Sequence, residues 1–120
     1  MARTFDFTGK SGQRYRYTLL EGQTIWPSGG NYLYVKSLKS GPKVIFASET
    51  ESLFRGYAVR LDEAKSVHGA TDVYLRLNIT GAVRRAEMED IIEEHRPVMN
   101  PRPEPEPRSA SEEQGDGAVP

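Results

Sequence analysis

A chain of 120 residues with 16 basic and 17 acidic side chains, net −1, and 37% hydrophobic residues has room for one domain. The lack of cysteine excludes disulfides and thiolate metal sites, and no apolar run approaches the roughly 18 residues of a membrane span. Arg3, Asp6 and Lys10 interrupt any signal-peptide core, so the expectation is a small soluble cytoplasmic protein with no membrane partner.

Thr4–Thr8 and Gln13–Leu20 flank the turn-rich Gly9-Lys10-Ser11-Gly12 and read as a β-hairpin occupying residues 1–22. In Arg14-Tyr15-Arg16-Tyr17-Thr18-Leu19 the period is two, with the tyrosines and Leu19 on one face and the arginines and Thr18 on the other. Gly22–Gly30 is a loop. Tyr32–Val35 and Lys43–Ala47 form a second hairpin, separated by Ser40-Gly41-Pro42.

Thr50 or Ser52 then offers an N-cap, with Glu51 at the positive end of the helix dipole, for one helix reaching about Val67. Leu53, Tyr57, Val59 or Arg60, Leu61 and Ala64 fall at helical spacing there. Asp72–Asn78 alternates Val73, Leu75 and Leu77 against polar partners, a strand with one buried face. Thr80 caps a final helix, Ala82–His95, whose Met88, Ile91, Ile92 and His95 share one face, and Arg96-Pro97 stops it.

The ordered block Gly30-Asn31-Tyr32, Phe46-Ala47-Ser48, Arg84 to Ile92 and Pro97-Val98-Met99-Asn100 resembles a GIY-YIG domain, the module of certain homing endonucleases and repair nucleases. The resemblance covers about residues 30–100. It implies an α+β fold with a small sheet in ββαβα order, here preceded by the N-terminal hairpin. Gly30-Asn31-Tyr32 stands at the first tripeptide and Phe46-Ala47-Ser48 at the second, while Asn100 closes the pattern just past a proline.

What the resemblance implies for chemistry is a tyrosine near the water, an arginine on the transferred phosphate and a glutamate holding Mg²⁺, a hard cation that prefers carboxylate oxygen. Tyr32 matches the tyrosine. Phe46 keeps the second ring without its hydroxyl and cannot pass a proton. The arginine falls near Gly56, leaving Arg55 or Arg60, which lie about 140° apart on a helix. Met88 stands at the acid's position, and one residue of slippage makes Glu89 the metal ligand.

Tyr32, Arg55, Arg60 and Glu89 are therefore the site of a Mg²⁺-dependent endonuclease only if that slippage holds. Otherwise no cofactor is implied and a non-catalytic scaffold remains. His68 and His95 read as cap or surface residues, and no metal-ligand spacing or phosphate-cradling glycine loop is present.

Arg3, Lys10, Arg14 and Arg16, interleaved with Phe5, Phe7, Tyr15 and Tyr17, suit nucleic-acid contact, and Arg76, Arg84 and Arg85 extend that basic set. The tyrosines and phenylalanines also suit a core, because alternation places them opposite the arginines. Residues 101–120 hold 2 basic and 5 acidic residues, leaving 14 and 12 in residues 1–100. With proline at every second position from Pro101 to Pro107, that segment reads as a disordered, extended acidic tail. Three functions follow: a non-catalytic GIY-YIG-like module binding DNA, RNA or a protein partner, a nuclease using Glu89, or an interaction domain with no nucleic-acid role. Oligomeric state is open.

Overall fold

The computed structural model describes residues 2–101; the acidic segment from residue 102 onward lies outside the described residues. The fold is α+β. Its elements are β1 (Thr4–Thr8), β2 (Arg14–Leu19), β3 (Gly30–Leu38), β4 (Gly41–Thr50), α1 (Leu53–Gly56), α2 (Leu61–His68), β5 (Asp72–Leu77) and α3 (Gly81–His95). The five strands form one antiparallel sheet in the order β1-β2-β5-β3-β4. The N-terminal hairpin is continuous with the rest of the sheet, because Thr18 and Leu19 of β2 pair with Leu75 and Tyr74 of β5.

β3 lies between β5 and β4, so the run Tyr32-Leu33-Tyr34-Val35 is buried on both sides. Alternation sends Tyr32 and Tyr34 to one face, where they pack with Phe46, Leu53, Ala64, Val73 and Leu75 under α1 and α2. Leu33 and Val35 go to the other face and meet Phe7, Tyr15, Tyr17, Val44, Ala47 and Ile91 of α3. Phe7, Tyr15 and Tyr17 are thus core, and their alternation follows the expected pattern, while Phe5 on the edge strand is exposed. The opposite side of β1–β2, carrying Asp6, Arg14 and Arg16, faces solvent.

Three local differences from the expected elements have physical causes. The β3–β4 turn is tighter than Ser40-Gly41-Pro42: Leu38 pairs with Gly41 across Lys39-Ser40, and Pro42 sits inside β4. A proline is tolerated there because β4 lies at the sheet edge. Second, the register shifts between Tyr34↔Phe46 and Val35↔Val44, so Ile45 is an extra residue in β4 and turns into the same cluster as Phe46.

Third, the single helix expected up to Val67 is two. Arg60 leaves the helical region (φ −122°, ψ 21°) between α1 and α2. The buried Tyr34 hydroxyl donates to the Tyr57 carbonyl at 2.7 Å and accepts from the Arg60 N–H at 3.1 Å. An unbroken helix would pair those two backbone groups internally, so the tyrosine offers them an alternative partner at the break. α2 then ends on Gly69, whose φ of 74° is left-handed and suits a residue without a side chain.

The free edge of β4 is covered at its middle. Met99 donates its N–H to the Ile45 carbonyl at 3.0 Å, and the Asn100 amide both accepts from Ala47 N–H and donates to Ala47 C=O, each at 2.9 Å. The closing asparagine of the sequence block therefore acts as a one-residue strand mimic that satisfies an exposed edge.

Candidate functional site

The residues singled out by sequence fall on both faces of β3. On the α1–α2 face, Tyr32 is buried at 4% exposure, with ring centroids 5.6 Å from Tyr34 and 6.1 Å from Phe46. Tyr34 and Phe46 are 5.3 Å apart. Burial pushes the Tyr34 phenol up to about 12. The Arg60 guanidinium lies 5.2 Å above the Phe46 ring and pairs with Glu63 at 2.8 Å. Arg55 is exposed, and its backbone N–H serves the Ser52 cap. Of the two arginine candidates the fold brings only Arg60 to the aromatic cluster.

α3 covers the opposite face. Ile91 is buried against Leu33 and Val35, while Met88 and Ile92 are half-buried on the same side of the helix. Glu89 is exposed and lines a groove of about 310 Å³ with Ile92, Glu93, Arg96, Pro97 and Asn100. Tyr32 and the acid-bearing helix are therefore separated by the sheet. Among the described residues, no group of three or more histidines and carboxylates is placed to hold a metal. A Mg²⁺ ion beside Tyr32 finds no fitting donor set there, and Glu63, which reaches this cluster through Arg60, is committed to that arginine. His68 ends α2, where a basic group suits the helix dipole, and His95 Nε2 lies 2.9 Å from the Thr8 carbonyl. His95 thus acts as a local structural contact.

The α3 face holds a polar network that sequence reading missed. Asn31, fully buried, donates to the Arg84 carbonyl at 2.9 Å and accepts from Asn78 at 2.9 Å. Arg84, 5% exposed, pairs with Glu49 at 2.8 Å and donates to the Asn78 and Ile79 carbonyls. Arg76 pairs with Glu87 at 2.8 Å, and Glu87 also accepts from Asn78 at 3.0 Å. Close approach is built in: a Cβ on Gly29 would overlap Arg84, and one on Gly30 would overlap Leu53 and the Arg76 carbonyl. Gly29-Gly30 thus makes room as well as ending a loop. The signal was present in the helical stripe, since extending Met88 and Ile91 back one turn reaches Arg84.

These contacts divide the basic set. Arg84 is interior and spends its donors on Glu49 and backbone, so it presents no charge to a ligand. Arg76 is neutralised by Glu87 and stacks 5.5 Å from Tyr15. Arg3 pairs with Glu21, and Arg16 with Asp6 at 2.9 Å. Those contacts hold the Glu21 and Asp6 carboxyls below their ordinary range. Lys10, Arg14 and Arg85 are exposed and form no ion pair among the described residues.

One further cluster joins the hairpin tip to α3. The Asp90 carboxylate accepts from the Ser11 hydroxyl at 2.6 Å, the Tyr15 hydroxyl at 2.7 Å and the Ser11 N–H at 2.9 Å. Those hydrogen bonds, from Ser11 first, lower the Asp90 carboxyl, and burial followed by Asp90 itself pushes Tyr15 up to about 12. With every contact satisfied locally, the cluster works as a clasp. No helix among the described residues is long and apolar enough to cross a membrane. Comparison with family models, with curated proteins and with solved structures finds no match.

Proposed function

We propose that the chain is a non-catalytic, GIY-YIG-like module that binds nucleic acid or a protein partner. The observation that carries this reading is the separation of Tyr32 from position 88 and Glu89 by the sheet. Nuclease chemistry requires the tyrosine, the arginine and the metal-holding acid around one phosphate. Here Arg60 and Tyr32 share an aromatic cluster, and the acid-bearing helix packs on the other face.

The resemblance itself is supported by the succession β3, β4, α1–α2, β5, α3, which is compatible with ββαβα order when the two short helices count as one. A scaffold of this kind keeps its hydrophobic core whether or not the reaction survives. Its partner must then meet the outer surface, since the tyrosine cluster is dry and filled.

The test is a Mg²⁺ titration followed by amide NMR shifts, run beside a cleavage assay on short duplexes. The expected result is no local shift at Glu87–Glu89 and no cleavage. Mg²⁺-dependent cleavage that disappears in Glu89→Gln would overturn the reading and restore the nuclease.

A further inference from the structure

Four of the five lysines gather at one end of the molecule. Lys36 and Lys43 are direct cross-strand partners in the β3–β4 hairpin, and Lys39 is in its two-residue turn. The Lys36 ammonium also lies against Gly69, the residue that caps α2, at 3.4 Å from the position a Cβ would take there. The Gly69 N–H in turn bonds the Lys65 carbonyl, so Lys65 belongs to the same end. All four lysines are exposed, and none forms an ion pair among the described residues.

This arrangement costs stability on its own. Like charges directly opposite on a sheet repel, and the helix end next to Lys36 relieves only one of them. Of the carboxylates near them, Glu63 is held by Arg60 and Asp72 accepts from the Thr71 hydroxyl at 2.8 Å, while Asp62, exposed three residues before Lys65, forms no ion pair with any of the four among the described residues. Ser37 and Ser40 add exposed hydroxyls between the lysines. Flexible ammonium groups and hydroxyls without exposed aromatic rings fit a row of phosphates rather than bases, because they supply charge and hydrogen bonds without stacking or edge readout.

From this geometry we propose that the β3–β4 hairpin tip and the last turn of α2 dock the phosphate backbone of a nucleic acid, with Lys36, Lys39, Lys43 and Lys65 as the contacts. The proposal rests on the binding-module reading and names its partner. The surface is distinct from the arginine set of the N-terminal hairpin. Binding through it is independent of base sequence and steeply dependent on salt.

The experiment is fluorescence anisotropy with a labelled short duplex. Four phosphate contacts predict affinity falling on the order of a hundredfold between about 50 and 200 mM salt. Lys39→Glu and Lys43→Glu should each weaken binding at low salt and reduce the salt slope by about one contact. Lys43→Glu places a carboxylate opposite Lys36, so the fold is not weakened while binding falls. Arg96→Glu makes the same change in net charge at the C-cap of α3, outside the four-lysine group, and should leave affinity near that of the parent chain.

Equal losses in Arg96→Glu and the lysine variants would overturn the surface and leave the binding module standing. No duplex binding at low salt would overturn the proposal and leave the protein-partner branch. An acidic peptide of equal charge that binds as tightly as the duplex would also overturn it, in favour of a protein partner at this end.

Discussion

The two faces of the central sheet solve the problem of burial in opposite ways. Under α1 and α2 the filling is aromatic and aliphatic, with one phenol hydroxyl stitching a helix break. Under α3 the apolar cluster gives way, toward the start of the helix, to two ion pairs and two asparagines. Neighbouring residues of β3 serve both: Asn31 enters the polar network while Tyr32 enters the aromatic one. A motif read along a strand therefore reports two environments, and a catalytic constellation needs its members at matching parity as well as in order.

The largest test of that contrast is on the polar face. Arg84→Met strands Glu49 and two backbone carbonyls, so it should cost about 3–5 kcal/mol, the range for breaking a buried pair from one side. Glu49→Leu alone strands the guanidinium instead. The double variant removes both charges and should recover much of the loss, because a well-packed apolar pair of similar volume is often neutral. Urea midpoints of the four proteins close the cycle. If the double variant is as unstable as the sum of the singles, the network is not a coupled unit and the contrast between faces fails.

Much of the fold was legible in the sequence because strand alternation carries it. The two-residue period of Tyr15 and Tyr17 located the hairpin core correctly, and the apolar spacing from Met88 to His95 located one side of α3. The parts that were not legible depend on partners distant in the chain. The break between α1 and α2 involves Tyr34, 23 residues before Tyr57. The bulge at Ile45 reflects pairing with β3. Formal charge also concealed compensation: Arg3, Arg16, Arg76 and Arg84 read as a basic set, yet each meets a carboxylate. The lysines unpaired among the described residues carry no aromatic interleaving, so the chain alone does not mark them as a surface.

A medium-sized effect is read by pH and apportioned between the faces by substitution. Tyr34 on the aromatic face and Tyr15 on the α3 face are both pushed up to about 12, first by burial, and Tyr17 is pushed up as well. A phenol whose folded pKa lies above its unfolded value near 10 binds more protons in the native state between the two. Stability therefore falls as pH rises through about 10 to 12, and is unaffected by these groups below that window. Tyr34→Phe should cost about 1–2 kcal/mol at neutral pH through its two lost hydrogen bonds. The same variant should flatten part of the alkaline decline in urea midpoint. An unchanged alkaline slope would mean that Tyr34 does not remain protonated in the native state, which would weaken the dry aromatic face as described.

The smallest expected effect comes from the outer face of the N-terminal hairpin, opposite α3, which is exposed to solvent. Arg16 and Asp6 on β1–β2 lie 2.9 Å apart, nearly the 2.8 Å of Arg84 and Glu49, but the arginine side chains are 69% and 6% exposed. In water the attraction competes with hydration, with salt and with the entropy of two long side chains. Arg16→Ala should therefore shift the urea midpoint far less than Arg84→Met. What it should change is the acid limb. Asp6 is held below its ordinary range first by the Arg16 hydrogen bond, so its contribution is present above the unfolded pKa and lost as pH falls through the folded one. Removing Arg16 should erase that share while leaving the Asp90 share intact, because Ser11 and Tyr15 are untouched. A destabilisation as large as that of Arg84→Met would show that distance, rather than burial, sets the worth of these pairs, and would remove the distinction between the covered and uncovered parts of the sheet.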